Sequence, residues 1–161
     1  MVRMRRVGWL GIVSSAIAIT AVANAQTGKG VEMHHAVGTF EVKLKPEPLS
    51  EVASKTEIGR MSMDKTYQGQ LEGTSQGEFL ASGSASGSGS YVAIEKITGS
   101  LDGKRGSFVL VHQGTMVKGG SPQLTVSVVP GSGTGELVGI SGTLQIVIKG
   151  GQHTYVFDYS L

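Results

Sequence analysis

From Val37 to Leu161 the chain alternates apolar and polar residues with a period of two, is broken repeatedly by glycine, and carries no helical period. That pattern constrains the fold more than any other feature. Phe40, Val42 and Leu44 share one face of the first run, and Thr39, Glu41 and Lys43 the other. A strand with one buried and one wet side has this signature. In the next run Met61, Met63, Lys65 and Tyr67 alternate with Arg60, Ser62, Asp64 and Thr66. The same reading predicts strands over 37–44, 58–69, 71–82, 91–101, 107–117, 123–129, 142–149 and 153–161. Pro46 and Pro48 make 45–57 an irregular connection, with room for a short helical turn at 49–55. Regularly spaced strands with short turns predict an all-β fold, either an antiparallel sandwich or a closed eight-stranded antiparallel barrel, of which the barrel leaves no strand edge unpaired. The domain reading is a leader over 1–25, a flexible arm over 26–36 and one barrel domain over 37–161.

The segment GSGTGELVGISGTL (131–144) tests that reading, because a glycine-rich run also suggests a phosphate loop. A phosphate loop follows a strand, opens a helix, and has G-x-G-x-x-G spacing or a glycine–lysine pair. Neither spacing occurs here, and the next element is another strand. Leu137, Val138 and Ile140 ask for burial, which argues against a plain tether. The glycines are read as turns, bulges and close crossings in a curved sheet. GSASGSGS (83–90) is read as a hairpin loop or flexible connection, and its serines lack the strand-to-helix context of a hydrolase nucleophile.

The first 25 residues are read apart from the fold. Arg3, Arg5 and Arg6 precede an uncharged apolar stretch from Trp9 to Val22, and Ala23-Asn24-Ala25 supplies a cleavage site. This is a signal-peptide pattern, so a periplasmic or secreted location is expected, with Gln26 as the mature N-terminus. Arg5-Arg6 fits twin-arginine export only loosely, leaving the route open. Taking 25 residues from 161 leaves 136, enough for one core. It also takes three arginines from the 14 basic residues, leaving 11 against 12 acidic ones. Without concentrated positive charge, neither nucleic acid nor a membrane surface is an expected partner. With no cysteine, disulfides and thiolate chemistry are excluded. No cofactor and no metal is called for.

Chemistry is expected around Asp102-Gly103, a tight-turn pair. Pairing Leu101 with Lys104 or with Gly106 places Tyr91, Ala93, Glu95 and Ile97 on one face with Phe108, Leu110, His112 and Met116. In the second register Glu95 faces His112 directly. This face is the more apolar and aromatic, so it is assigned to the lumen. A carboxylate and an imidazole inside an apolar lumen make either a proton-handling and ligand-binding site or a cross-strand pair that fixes register. Both readings stand at this point. Glu95 and His112 are the candidate catalytic residues, and Tyr91, Glu95, Phe108, Leu110 and His112 the candidate ligand-binding ones.

Other clusters carry less. Glu32 with His34 and His35 has metal-ligand residue types but falls on the expected arm. His153 and Tyr155 share a face opposite to Asp158, so they form no joint site. Met61, Met63 and Phe79 are read as core.

YVAIEKITGSLDGKRGSFVLVHQGTM (91–116) and PQLTVSVVPGSGTGELVGISGTLQI (122–146) resemble a bacterial family catalogued as domain of unknown function 3224. HHAVGTFEVKLKP (34–46) and YVFDYSL (155–161) fit the likeness as well. The resemblance implies a closed antiparallel barrel similar to that of allene oxide cyclase, and it implies no activity. Three functions follow: a secreted module binding a small apolar ligand in the lumen; an isomerase or cyclase acting on a reactive lipid-like or polyketide-like substrate, by analogy with allene oxide cyclase; or a filled barrel that self-associates. A homo-oligomer fits any of them, and no residue selects dimer or trimer.

Overall fold

The computed structural model describes residues 31–85 and 87–161. The expected leader and the first part of the arm lie outside them. The described chain is a ring of antiparallel strands: β1 (His34–Pro46), β2 (Ile58–Gly69), β3 (Leu71–Gly83), β4 (Gly89–Leu101), β5 (Lys104–Met116), β6 (Gln123–Val128), β7 (Thr134–Gly135), β8 (Ser141–Lys149) and β9 (Gln152–Ser160). Each of the eight long strands pairs with the next, and β9 returns to pair with β1 from Tyr159 opposite His34 to His153 opposite Phe40. The barrel is therefore closed, with the two-residue β7 as an extra strand on β5. Among the described residues the only helical piece is a 3-10 turn at Ala53–Lys55, inside the stretch where a short turn was expected.

Three expectations need correction. β1 starts at His34 rather than Val37, so His34 and His35 belong to the sheet and not to a loose arm. The backbone there pairs with Tyr159 and Asp158, and fully buried Ala36 points inward. In the glycine-rich segment Leu137 and Ile140 are buried as expected, but Val138 between them is 68% exposed. Met116, expected in the lumen, closes β5 at the rim and is half exposed.

Asp102 and Gly103 both have positive φ, 48° and 80°, in the two-residue turn that joins β4 to β5. Such turns match the strand twist and fix the register. Leu101 pairs with Lys104, the first of the two registers considered.

The two ends of the barrel differ. At the end carrying the Asp102-Gly103 turn the lumen is packed solid. Phe108 stacks on Phe157 at 5.6 Å, Phe157 meets Tyr159 at 5.3 Å, and Leu71, Ile97 and Leu101 fill the gaps. The segment after β6 folds over this end, pairing Thr134 and Gly135 with β5 and inserting Leu137 and Ile140 into the same cluster. Buried tyrosines keep their hydroxyls satisfied: Leu71 N–H donates to Tyr155 Oη at 2.9 Å, and Tyr159 Oη donates to Asp102 at 2.6 Å. The opposite end, where Leu44, Leu124 and Ile148 turn inward, stays open.

Candidate functional site

The site lies where the filled half of the lumen meets the open half. Glu95, inward on β4, has no exposed surface. Burying a carboxylate is costly unless hydrogen bonds and an opposite charge compensate it. Both are present. Lys65 Nζ from β2 donates to Oε1 at 2.8 Å, Tyr67 Oη donates to the same oxygen at 3.0 Å, and His112 Nε2 from β5 lies 2.8 Å away. Ser75 Oγ from β3 donates to Oε2 at 2.5 Å. The Lys65 ammonium also sits 4.8 Å from the Phe40 ring centre, a cation–π arrangement. No enclosed side-chain nitrogen or oxygen among the described residues lacks a partner.

The electrostatics follow from opposed causes. Burial alone would raise the Glu95 pKa. The hydrogen bond from His112 and the Lys65 charge outweigh it and hold the group at about 2. Burial pulls Lys65 below its ordinary value, and Glu95 restores part of that loss. Burial, then the Glu95 charge, pushes the Tyr67 hydroxyl well up, so it remains a donor. The cluster is a buried Lys65–Glu95 pair with Tyr67, Ser75 and His112 gathered around the carboxylate.

A glycine lets β3 approach the β4 backbone at Glu95. Gly77 of β3 pairs with Glu95, and a Cβ there would lie 2.3 Å from Ile94 O and 2.8 Å from Glu95 Cα. Gly77→Ala is expected to cost about 1–3 kcal/mol by forcing β3 from β4. Gly59→Ala on β2, where the nearest atom would be 3.9 Å away, is expected to be neutral or slightly stabilising. Denaturant unfolding of both variants checks this, and a Gly77 cost no larger than that at Gly59 contradicts it.

Above the cluster a cavity of about 140 Å³ opens to solvent. Lys65 and His112 contribute to its floor, Phe79, Tyr91 and Ala93 to one wall, and Val42, Leu44, Leu124, Ile146 and Ile148 to the rest. Phe79 and Tyr91 stack at 4.6 Å. Gly114 opposite Tyr91 leaves space for that ring, since a Cβ there would collide with it at 2.1 Å. The rim residues Leu44, Leu124 and Ile148 are 46%, 41% and 63% exposed, so the mouth itself is apolar. Two larger hollows, about 510 and 680 Å³, lie against outward polar residues such as Glu41 and Lys43, or Lys96 and Arg105.

The inward face expected for β4 and β5 is the observed one. Glu95 and His112 meet, but diagonally: in the observed register Glu95 stands opposite Leu110 and His112 opposite Ala93. Tyr91 and His112 line the cavity, whereas Phe108 and Leu110 are fully buried and do not. Lys65, Tyr67 and Ser75 were not among the expected site residues. Their signal was a lysine standing in the same alternating row as Met61, Met63 and Tyr67.

The weaker clusters remain apart. His35 Nδ1 meets Asp158 at 2.5 Å and His34 stacks on Tyr159 at 5.2 Å, both near the filled end. Among the described residues no group of three or more histidine and acidic side chains is arranged to hold a metal. His153 is at the cavity, while Tyr155 is buried in the core and Asp158 is taken by His35.

A closed barrel with this register places the chain among known proteins. The sequence model of the family described as "Protein of unknown function (DUF3224)" matches residues 36–159. The chain belongs to this family. A solved DUF3224 protein of unknown function from Shewanella oneidensis MR-1 is 46% identical, with a TM-score of 0.73, covering 81% of this chain and 98% of that one. No curated protein matches. For this DUF3224 chain no helix among the described residues is long and apolar enough to cross a membrane.

Proposed function

We propose that this DUF3224 protein is an exported binding module whose open barrel end takes a small apolar molecule. The observation that carries the reading is the apolar cavity with a polar floor. Ligand sites in general combine apolar walls with a few placed polar groups. The volume, about 140 Å³, is below the range of about 300–1,000 Å³ typical for larger ligands. It suits one ring or a short chain, with any remainder projecting through the apolar mouth. Export is supported by the leader pattern over 1–25, and by nothing in the fold.

The isomerase or cyclase alternative gains less from this geometry. Glu95 was its proton carrier, but both oxygens already accept hydrogen bonds and the group stays ionised far below neutral pH. A base so fully engaged makes a poor shuttle.

Titration of the labelled protein with toluene, followed by amide NMR, tests the binding reading. Shifts are expected at Tyr91, His112, Ile146 and Ile148, with Phe108 and Phe157 unmoved. Shifts confined to outward-facing residues, or none at saturating toluene, would overturn it.

A further inference from the structure

The cavity floor holds one polar atom not engaged by the charge cluster. His112 faces Glu95 through Nε2 at 2.8 Å, and an ionised carboxylate only accepts, so Nε2 carries the proton. In the neutral ring Nδ1 then keeps its lone pair. Nδ1 makes no hydrogen bond among the described residues, yet no enclosed side-chain nitrogen there lacks a partner. His112 is inward-facing and lines the cavity, so Nδ1 is reached from that space. Glu95 thereby acts as a positioning residue: it fixes the tautomer and turns an acceptor toward the ligand.

Resting on the binding reading above, we propose that the ligand is a ring-sized apolar molecule carrying one hydroxyl, a phenol-like compound that donates to His112 Nδ1. Size agrees, since an apolar cavity of about 150 Å³ admits benzene and this one is about 140 Å³. Shape agrees too. The stacked Phe79–Tyr91 pair forms one wall, and Ile146 and Ile148 belong to β8, which stands opposite β3 in the ring. A ring filling this space covers Nδ1. A ligand without a donor then leaves a buried acceptor unpaired and loses affinity, whereas the hydroxyl satisfies it.

The test compares p-cresol with toluene, which differ by the hydroxyl alone, on the purified protein by amide NMR titration. Wild type is expected to bind p-cresol about tenfold or more tighter. The ¹⁵N resonance of His112 Nδ1 is expected to move with p-cresol and not with toluene. In His112→Phe a ring of similar size stays in place while the acceptor is lost, so the two affinities should converge. Equal affinities in wild type would overturn this inference and leave the binding reading intact. Failure of both compounds to bind would overturn the binding reading itself. The wild-type comparison and the Nδ1 resonance decide the matter even where the variant does not fold.

Discussion

Glu95→Ala is expected to destabilise the fold by about 3–5 kcal/mol. The loss comes less from the missing attraction than from what remains. Lys65 is 4% exposed and would keep a buried ammonium without a counter-ion. Tyr67, Ser75 and His112 would each lose their acceptor at the same time. Exposed pairs such as Arg60–Glu78 carry no comparable penalty, because solvent takes over when one partner is removed. Lys65→Met added to Glu95→Ala should recover part of the loss, since the stranded charge is gone. Denaturant unfolding of the two single variants and the double isolates the coupling. A Glu95→Ala cost below about 1 kcal/mol, or additivity with Lys65→Met, would contradict a shared buried pair.

Acid should unfold the protein through the same group. The Glu95 pKa is about 2 in the fold against an ordinary 4.5, so folding favours the ionised form. Its contribution is fully present above about pH 4.5 and is lost as pH falls through about 2, on the order of 3 kcal/mol in all. Lys65 has the same sign in a different pH range. Its lowered pKa means that stability is gained as pH rises through the lowered value toward 10.5, well away from the acid limb. The charged and titratable groups against Glu95 are Lys65, His112 and Tyr67, and neither Lys65 nor Tyr67 loses its proton in this window. Unfolding free energies measured at successive pH values should therefore fall steeply below pH 4.5 in wild type and less steeply in Glu95→Gln. Parallel curves would remove Glu95 from the account.

The inward row of β4 and β5 was legible because one local turn fixes it. Either closure at Asp102-Gly103 sends Glu95 and His112 to the same side, so the choice of register did not matter for the face. Lys65 was legible as a member of an alternating row but not as a partner. It reaches Glu95 past the intervening β3, and that stagger is the product of two successive registers, β2 on β3 and β3 on β4. No local pattern reports a contact of that kind. β7 escaped for a simpler reason, since two residues carry no period. His34 and His35 were placed on an arm because two consecutive histidines lack the apolar alternation that marks a half-buried strand. The Val138 error came from treating three neighbouring apolar residues alike, when a tight turn can bury only some of them.

All of these results depend on a carboxylate kept ionised on the barrel axis by an ammonium and an imidazole. Its ¹³C carboxyl resonance, assigned by its absence in Glu95→Gln and followed from neutral pH into acid, reads that state directly. A flat response through pH 4.5 and a midpoint near 2 are expected. A midpoint at or above 4.5 would show a carboxyl group that neither Lys65 nor His112 holds ionised, and the cavity floor described here would not exist in that form.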